Sequence, residues 1–231
     1  KILGDLYFNY LADNKAYSVN LSDLQPEILE NTAGKIQLFW QFPAGVRLYQ
    51  TFTVSGEEIE WDIEFFNRSR HTVNIMDMCL TVPIGAIDES VQACQNLNRH
   101  FSLNGSSSFL YWIPYTGQGD ILLMSMKKGT AMEYATWDGK YYLHATNVVD
   151  RANDTWRIPS TSKTVAPYHR YLTGFNFTVA KDYTDLRGKL YDKGNVLVKV
   201  APGMVVTPEM EVYCALQTQL PVEQLTVEYP E

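Results

Sequence analysis

Hydrophobic positions along this chain recur mainly at a spacing of two, the mark of strands with one buried face. Val46, Leu48, Gln50, Phe52 and Val54 alternate with Arg47, Tyr49, Thr51 and Thr53. Ile59, Trp61, Ile63 and Phe65 then alternate with Glu58, Glu60, Asp62 and Glu64. Ser55-Gly56 between the two runs predicts a two-residue hairpin turn. That turn pairs Phe52 with Ile59 and Leu48 with Ile63, and sets Arg47 opposite Glu64 on the other face. Pattern and turn agree, which is how register becomes fixed.

Asp138-Gly139 is a favoured turn pair and predicts a second hairpin, joining Thr130–Trp137 to Lys140–Thr146. Its implied partners are Tyr134 with Leu143 and Glu133 with His144. A third hairpin runs along Ser108–Tyr115, turns at Thr116-Gly117-Gln118-Gly119 and returns along Asp120–Met126. Further strands read at Lys35–Phe42, Thr72–Val82, Tyr171–Val179, Val196–Val200, Met210–Thr218 and Gln224–Tyr229. One short helix is expected: Asp182 caps it, Tyr183, Leu186, Leu190 and Tyr191 share a face, and Gly194 stops it. The stretch Asn147–Pro167 is polar and weakly patterned and reads as a long surface loop. The fold class expected is all-β with one short helix, a large antiparallel sandwich. With no repeat, low-complexity tract or Pro/Gly linker, residues 1–231 read as one domain.

Composition narrows the function classes. The chain has 231 residues, 45% of them hydrophobic, enough to bury a core without disulfide staples. Its net charge is -7, and no cluster of Lys and Arg offers a phosphate-binding surface, so nucleic acid is not an expected partner. No apolar run reaches the length of a membrane-spanning helix, so no membrane insertion is expected. Cys79, Cys94 and Cys214 are odd in number and lack metal-ligand spacing; Cys79 and Cys214 lie in strand-like runs, where a cysteine packs as a small hydrophobe. Lys1 is not an initiator Met and the first residues read like mid-domain sequence, which is compatible with a removed signal peptide. N-x-S/T triplets begin at Asn20, Asn67, Asn104, Asn153 and Asn176. They would carry glycan only in a eukaryotic secretory pathway, and chance explains them equally well.

The run Glu58–Arg70 (EIEWDIEFFNRSR), followed by Asp77–Gly85 (DMCLTVPIG), Gly105–Thr130 and Asn195–Leu216 with its APGMVVTPEM, resembles the galactose-mutarotase-like β-supersandwich. It is most similar to supersandwich domains N-terminal to an (α/α) toroid in bacterial polysaccharide-degrading proteins, from about residue 35 onward. The resemblance implies a fold and a context, not a reaction. The context implied is periplasmic or extracellular, with a carbohydrate and a downstream catalytic domain in the same chain as partners.

Four groups of residues could carry chemistry. Glu133 beside His144 would be a carboxylate–imidazole pair within cross-strand reach, suited to general acid–base work and to sugar mutarotation. An ordinary pair on a solvated sheet face is the plainer account. The segment Asn98–Asn104 (NRHFSLN) is loosely similar to the histidine-bearing segment of aldose epimerases, with different offsets; nothing ties Glu209 or Glu211 to His100, and His71 and His169 have less context still. Glu58, Glu60, Asp62 and Glu64 form a stripe on one strand face. A flat stripe cannot wrap a calcium ion as loops do, so no metal is expected, and Arg47 is its expected partial partner. Tyr111, Trp112 and Tyr115 flank a Gly-rich turn and could stack on sugar rings, with Gln118 and Asp120 close by and Arg99 and His100 on the same rim. Tyr111 and Tyr115 share one strand parity and Trp112 has the other, so at most one set faces a ligand.

No nucleophile elbow, phosphate loop, dinucleotide fingerprint or zinc motif occurs, and no cofactor is expected. The function expected is an accessory domain of a carbohydrate-active protein, a glycoside hydrolase or polysaccharide lyase, either non-catalytic or lending loops to its cleft. The alternatives are a stand-alone aldose epimerase using a His/Glu pair, or a glycan-binding module.

Overall fold

Among the described residues the alternating runs form sixteen strands, and the capped segment forms an α-helix. In a computed structural model, residues 5–82, 97–103, 105–114, 116–127, 130–137, 141–146, 161–203 and 207–226 are described; Val82, Leu97, Asn98, Arg99, Phe101, Tyr134, Trp137 and Tyr141 are described as backbone alone. The strands are β1 (Leu6–Ala12), β2 (Lys15–Asn20), β3 (Glu27–Asn31), β4 (Lys35–Gln41), β5 (Val46–Ser55), β6 (Glu58–Asn67), β7 (Val73–Val82) and β8 (Leu97–Ser102). They continue as β9 (Phe109–Pro114), β10 (Ile121–Met126), β11 (Tyr134–Trp137), β12 (Tyr141–Thr146), β13 (Lys163–Val165) and β14 (Arg170–Ala180). The helix α1 (Tyr183–Asp192) precedes β15 (Leu197–Ala201) and β16 (Tyr213–Gln217).

Two antiparallel sheets carry the architecture. The large sheet has eight strands in the order β3-β4-β5-β6-β14-β10-β9-β8. The small sheet runs β11-β12-β7-β1-β2, with β13 also on β7, and β15 pairs with β16 alone. Between the two large layers lie Phe8, Tyr10, Ile75 and Leu143 from one sheet and Leu48, Trp61, Ile63, Phe65 and Trp112 from the other. The Phe8 and Phe65 rings meet edge-on across the gap, centroids 4.9 Å apart. Among the described residues strands make up 57% and helical residues 9%, so the expected all-β sandwich with one helix stands.

Trp61 is 5% exposed, as the alternation requires. The β5–β6 register nevertheless differs from expectation. Gly56 takes φ +62, so the two turn residues are Gly56 and Glu57 rather than Ser55 and Gly56. Phe52 therefore faces Trp61, and Leu48 faces Phe65. A shift of two in the pairing keeps each residue on its face, but it leaves Ile59 at the strand end, 45% exposed. It also places Arg47 opposite Phe66 and Tyr49 opposite Glu64.

The hairpin β11–β12 slips by a single residue. Trp137 pairs with Tyr141, so three residues separate the strands where two were expected. Tyr134, not Glu133, stands opposite His144. Residues 138–140 themselves lie outside the described residues.

Strand β1, buried at Leu6, Phe8, Tyr10 and Ala12, sits in the middle of the small sheet, although the expected strands begin only at Lys35. Its pattern is blurred because Tyr7 and Leu11 are apolar on the other face. Within the expected loop at residues 147–167, Lys163–Val165 pairs with β7; residues 147–160 lie outside the description. Residues 224–226 are not strand, and the remainder of that expected strand is undescribed. Cys79 is buried as expected, but Cys214 is exposed on β16, and Cys94 lies outside the described residues. Asn67, one of the glycosylation-type triplets, is 2% exposed, and its amide donates to the carbonyls of His71, Val165 and Ala166 at 2.7, 2.9 and 3.2 Å. It fastens the β6–β7 loop to the end of β13 and cannot carry a glycan.

The helix follows its sequence signals closely. The Asp182 carboxylate accepts from the Asp185 N–H at 2.8 Å, and Gly194 takes φ +80 beyond the end. Leu186 and Leu190 bury against Ile113, Ile121, Leu123, Ala180 and Leu197. The helix thus covers the β9–β10–β14 end of the large sheet, on the face turned away from the sandwich core.

Candidate functional site

The one-residue slip in β11–β12 decides the first candidate. The Glu133 N–H donates to the His144 carbonyl at 2.8 Å. Strand alternation then sends the two side chains to opposite faces of the small sheet. The Glu133 charge is felt by Tyr171 of the large sheet, whereas that of Asp77 acts on His144. The His144 Nε2 lies 3.0 Å from the Thr136 hydroxyl oxygen. Burial lowers its pKa, and Asp77 only partly opposes that shift. The structure does not bring Glu133 and His144 together as an acid–base pair, correcting the expectation from the shorter turn.

The β9–β10 hairpin forms as expected, with Leu122 opposite Trp112 and Leu123 opposite Tyr111. Trp112 is 1% exposed and belongs to the sandwich core, so it cannot present a ring to a sugar. Its neighbour Tyr111 faces the other way, as parity requires. The His100 ring stacks on Tyr111 at 4.8 Å, and Tyr183 of α1 meets it edge-on at 5.7 Å. Burial, helped by a hydrogen bond with Tyr183, pushes the Tyr111 pKa up to about 12. Gln118 and Asp120 are exposed at the turn. Arg99 pairs with Trp112 through its backbone, its side chain lies outside the description, and Tyr115 is outside the described residues altogether.

The acidic stripe of β6 is a row of ion pairs. Lys193 reaches Glu58 at 2.7 Å, and Lys127 reaches Glu60 at 2.6 Å and Asp62 at 2.7 Å. Arg170 pairs with Glu64. The stripe's cations are thus Lys193, Lys127 and Arg170 rather than Arg47. Gly174 lets Lys127 cross the sheet here: a Cβ at Gly174 would lie 2.5 Å from the Trp61 carbonyl and 3.1 Å from Lys127 Cδ. Among the described residues, no three His, Cys, Asp or Glu side chains gather as a metal site.

Sequence reasoning missed the neighbouring part of this face. Arg47, Phe66 and Arg170 lie side by side on β5, β6 and β14. In the next row Phe39, Tyr49 and Glu64 do the same on β4, β5 and β6. The Arg47 guanidinium lies 5.6 Å from the Phe39 ring centroid, and that of Arg170 lies 4.5 Å from Phe66. The Phe39 and Tyr49 centroids are 5.1 Å apart. The legible signal was aromatic residues in the solvent-facing set of alternating strands. Elsewhere, an open hollow of about 450 Å³ lies between the β1–β2 turn and the β6–β7 loop, lined by Asp13, Asn14, His71 and Asn74 among others.

No protein-family model matches the chain, and no curated protein matches it in sequence. Among solved structures it is similar to a polysaccharide lyase at a TM-score of 0.65 and 16% identity, over 86% of this chain and 29% of the lyase chain. A galactose mutarotase related enzyme from Lactobacillus acidophilus aligns at a TM-score of 0.48 and 9% identity, over 76% of this chain and 79% of that one. GH36 alpha-galactosidase AgaA from Geobacillus stearothermophilus aligns at 0.42 and 9%, over 80% and 31%.

The fold is a mutarotase-like β-sandwich. The sandwich spans less than a third of the lyase chain it matches. At 16% identity the likeness is one of fold, and a fold by itself does not fix a function.

Proposed function

We propose that this protein is a carbohydrate-associated accessory domain, working beside a catalytic domain in a longer extracytoplasmic chain rather than as an epimerase on its own. The observation that carries this reading is the separation of the groups that an epimerase would need. Glu133 and His144 occupy opposite faces of the small sheet. His100 sits at the edge strand of the large sheet, and His71 and His169 lie on exposed loops. Mutarotation needs an acid and a base converging on one ring, and the described side chains supply no such convergence. The similarity to part of a polysaccharide lyase supports the carbohydrate context and the partner domain. His100, Gln118 and Asp120 are the groups we assign to the rim of a glycan cleft completed by that partner.

The test is anomer interconversion of several aldoses, followed by polarimetry with the 231-residue chain. The expected result is no acceleration above buffer. A large acceleration, lost in both His144→Ala and Glu133→Ala, would replace this reading with that of a self-sufficient epimerase.

A further inference from the structure

The face of the large sheet turned away from the core divides into three parts. Helix α1 covers one end. The ion pairs of Lys127 and Lys193 occupy the middle. The rest, across β4, β5, β6 and β14, carries Phe39, Tyr49 and Phe66 half-buried, bracketed by Arg47 and Arg170. Arg170 shares its charge with Glu64, while Arg47 makes no ion pair with any described carboxylate. In a protein of net charge -7, two guanidinium groups laid over aromatic rings on a flat face make a local site of opposite sign.

We infer that this face binds an anionic glycan, a polysaccharide bearing carboxylate groups. The inference rests on the carbohydrate-associated reading above and gives it a ligand class. Flat rings suit the C–H side of a sugar. The planar guanidinium fork matches a carboxylate through two parallel hydrogen bonds and stacks on rings at the same time. Arg47 and Arg170 stand two strands apart, about 10 Å at the spacing of a sheet, comparable with the length of one disaccharide. Charges on alternate sugars therefore meet one guanidinium each. Glu64 holds Arg170 in place and disfavours a second anion beside it, so Arg47 carries most of the new contact.

Calorimetric titration of the 231-residue chain with oligosaccharides of polygalacturonate and of alginate tests this, with neutral dextran and dextran sulfate as comparison arms. Binding of the uronate oligosaccharides and not of dextran is expected, weakening with added salt. Arg47→Gln should weaken it about tenfold or more, the scale of one lost charged hydrogen-bonded contact. Lys199→Gln, which removes the same charge from exposed β15, should leave it unchanged, with both variants retaining the parent circular dichroism and Tm. Tighter binding of dextran sulfate than of either uronate would overturn the carboxylate assignment. No uronate binding, equal binding of dextran, or equal effects of the two substitutions would overturn the inference. None of these outcomes alters the anomer assay, which decides the accessory reading separately.

Discussion

Lys127 shows how single residues set the chemistry of the large sheet's outer face. Its ammonium bonds to both Glu60 and Asp62, and the side chains are only partly exposed, at 24, 34 and 37%. The hydrogen bond and charge of Lys127 hold the Glu60 carboxyl below the usual range. Burial pulls the Lys127 pKa down, but its hydrogen bonds to Asp62 and Glu60 outweigh that and raise it. For Glu60 the folded pKa is the lower one, so the unfolded chain binds more protons in acid. Its contribution is present above the ordinary carboxylate range and is lost as pH falls through the folded value. For Lys127 the folded pKa is the higher one, so its contribution persists through neutral pH and is lost only as pH rises through the folded value. Lys127→Met should cost about 1 kcal/mol or less at neutral pH, since solvent screens the pair. It should also flatten the fall in stability between about pH 5 and pH 3. Urea unfolding at a series of pH values reads both, and an unchanged acid slope would show that the network contributes nothing. At this scale the sequence was legible for burial and poor for partners. Parity placed Trp61 inside and Trp112 opposite to Tyr111, because alternation is a property of each strand alone. The partners of Glu64 and His144 depended on one residue of turn length and on strand β14, more than a hundred residues away.

At the scale of elements, the contact between β6 and β14 is the joint on which the large sheet turns from its hairpin half to its helix-covered half. Gly174, opposite Asp62, makes that joint possible. Its backbone is ordinary strand, and the constraint is space, since an added Cβ would fall 2.5 Å from the Trp61 carbonyl and 3.2 Å from the Asp62 carboxylate. Gly174→Ala should therefore destabilise the protein by about 1–3 kcal/mol, the range for overpacking a tight site, despite alanine's usual advantage over glycine. Gly188→Ala is the control. It lies on α1 with open space around its Cβ position and should be neutral or stabilising. If both substitutions stabilise, the close approach of β6 and β14 is wrong. Elements were readable from sequence where local signals were complete. Helix α1 had a cap, an apolar face and a stop, and formed as expected. Strand β1 had apolar residues on both faces, and β13 only three residues, so nothing local separated either from irregular chain.

At the scale of the molecule, the two sheets and α1 share continuous packing; β15 joins it through buried Leu197, whereas β16 stands clear of it. Every residue of β16 is exposed, and Tyr213, Leu216, Leu220 and Leu225 add exposed apolar surface around it. We propose that the sandwich unfolds as one cooperative domain and that this ribbon opens independently at lower free energy. Its backbone hydrogen bonds have little apolar cover, while those of β1, β7, β6 and β14 border the core on at least one face. Hydrogen exchange should therefore release the β16 amides first, and the amides of both sheets last and together. Thiol labelling gives a second readout, in a Cys94→Ser background that removes the one cysteine outside the described residues. Cys214 should react at once in native conditions. Cys79, 2% exposed beneath the small sheet's outer face, should react only at the rate of global unfolding. If Cys79 reacted well before the β6 and β14 amides exchanged, the small sheet would open by itself, and the single cooperative domain would have to be divided between the two layers.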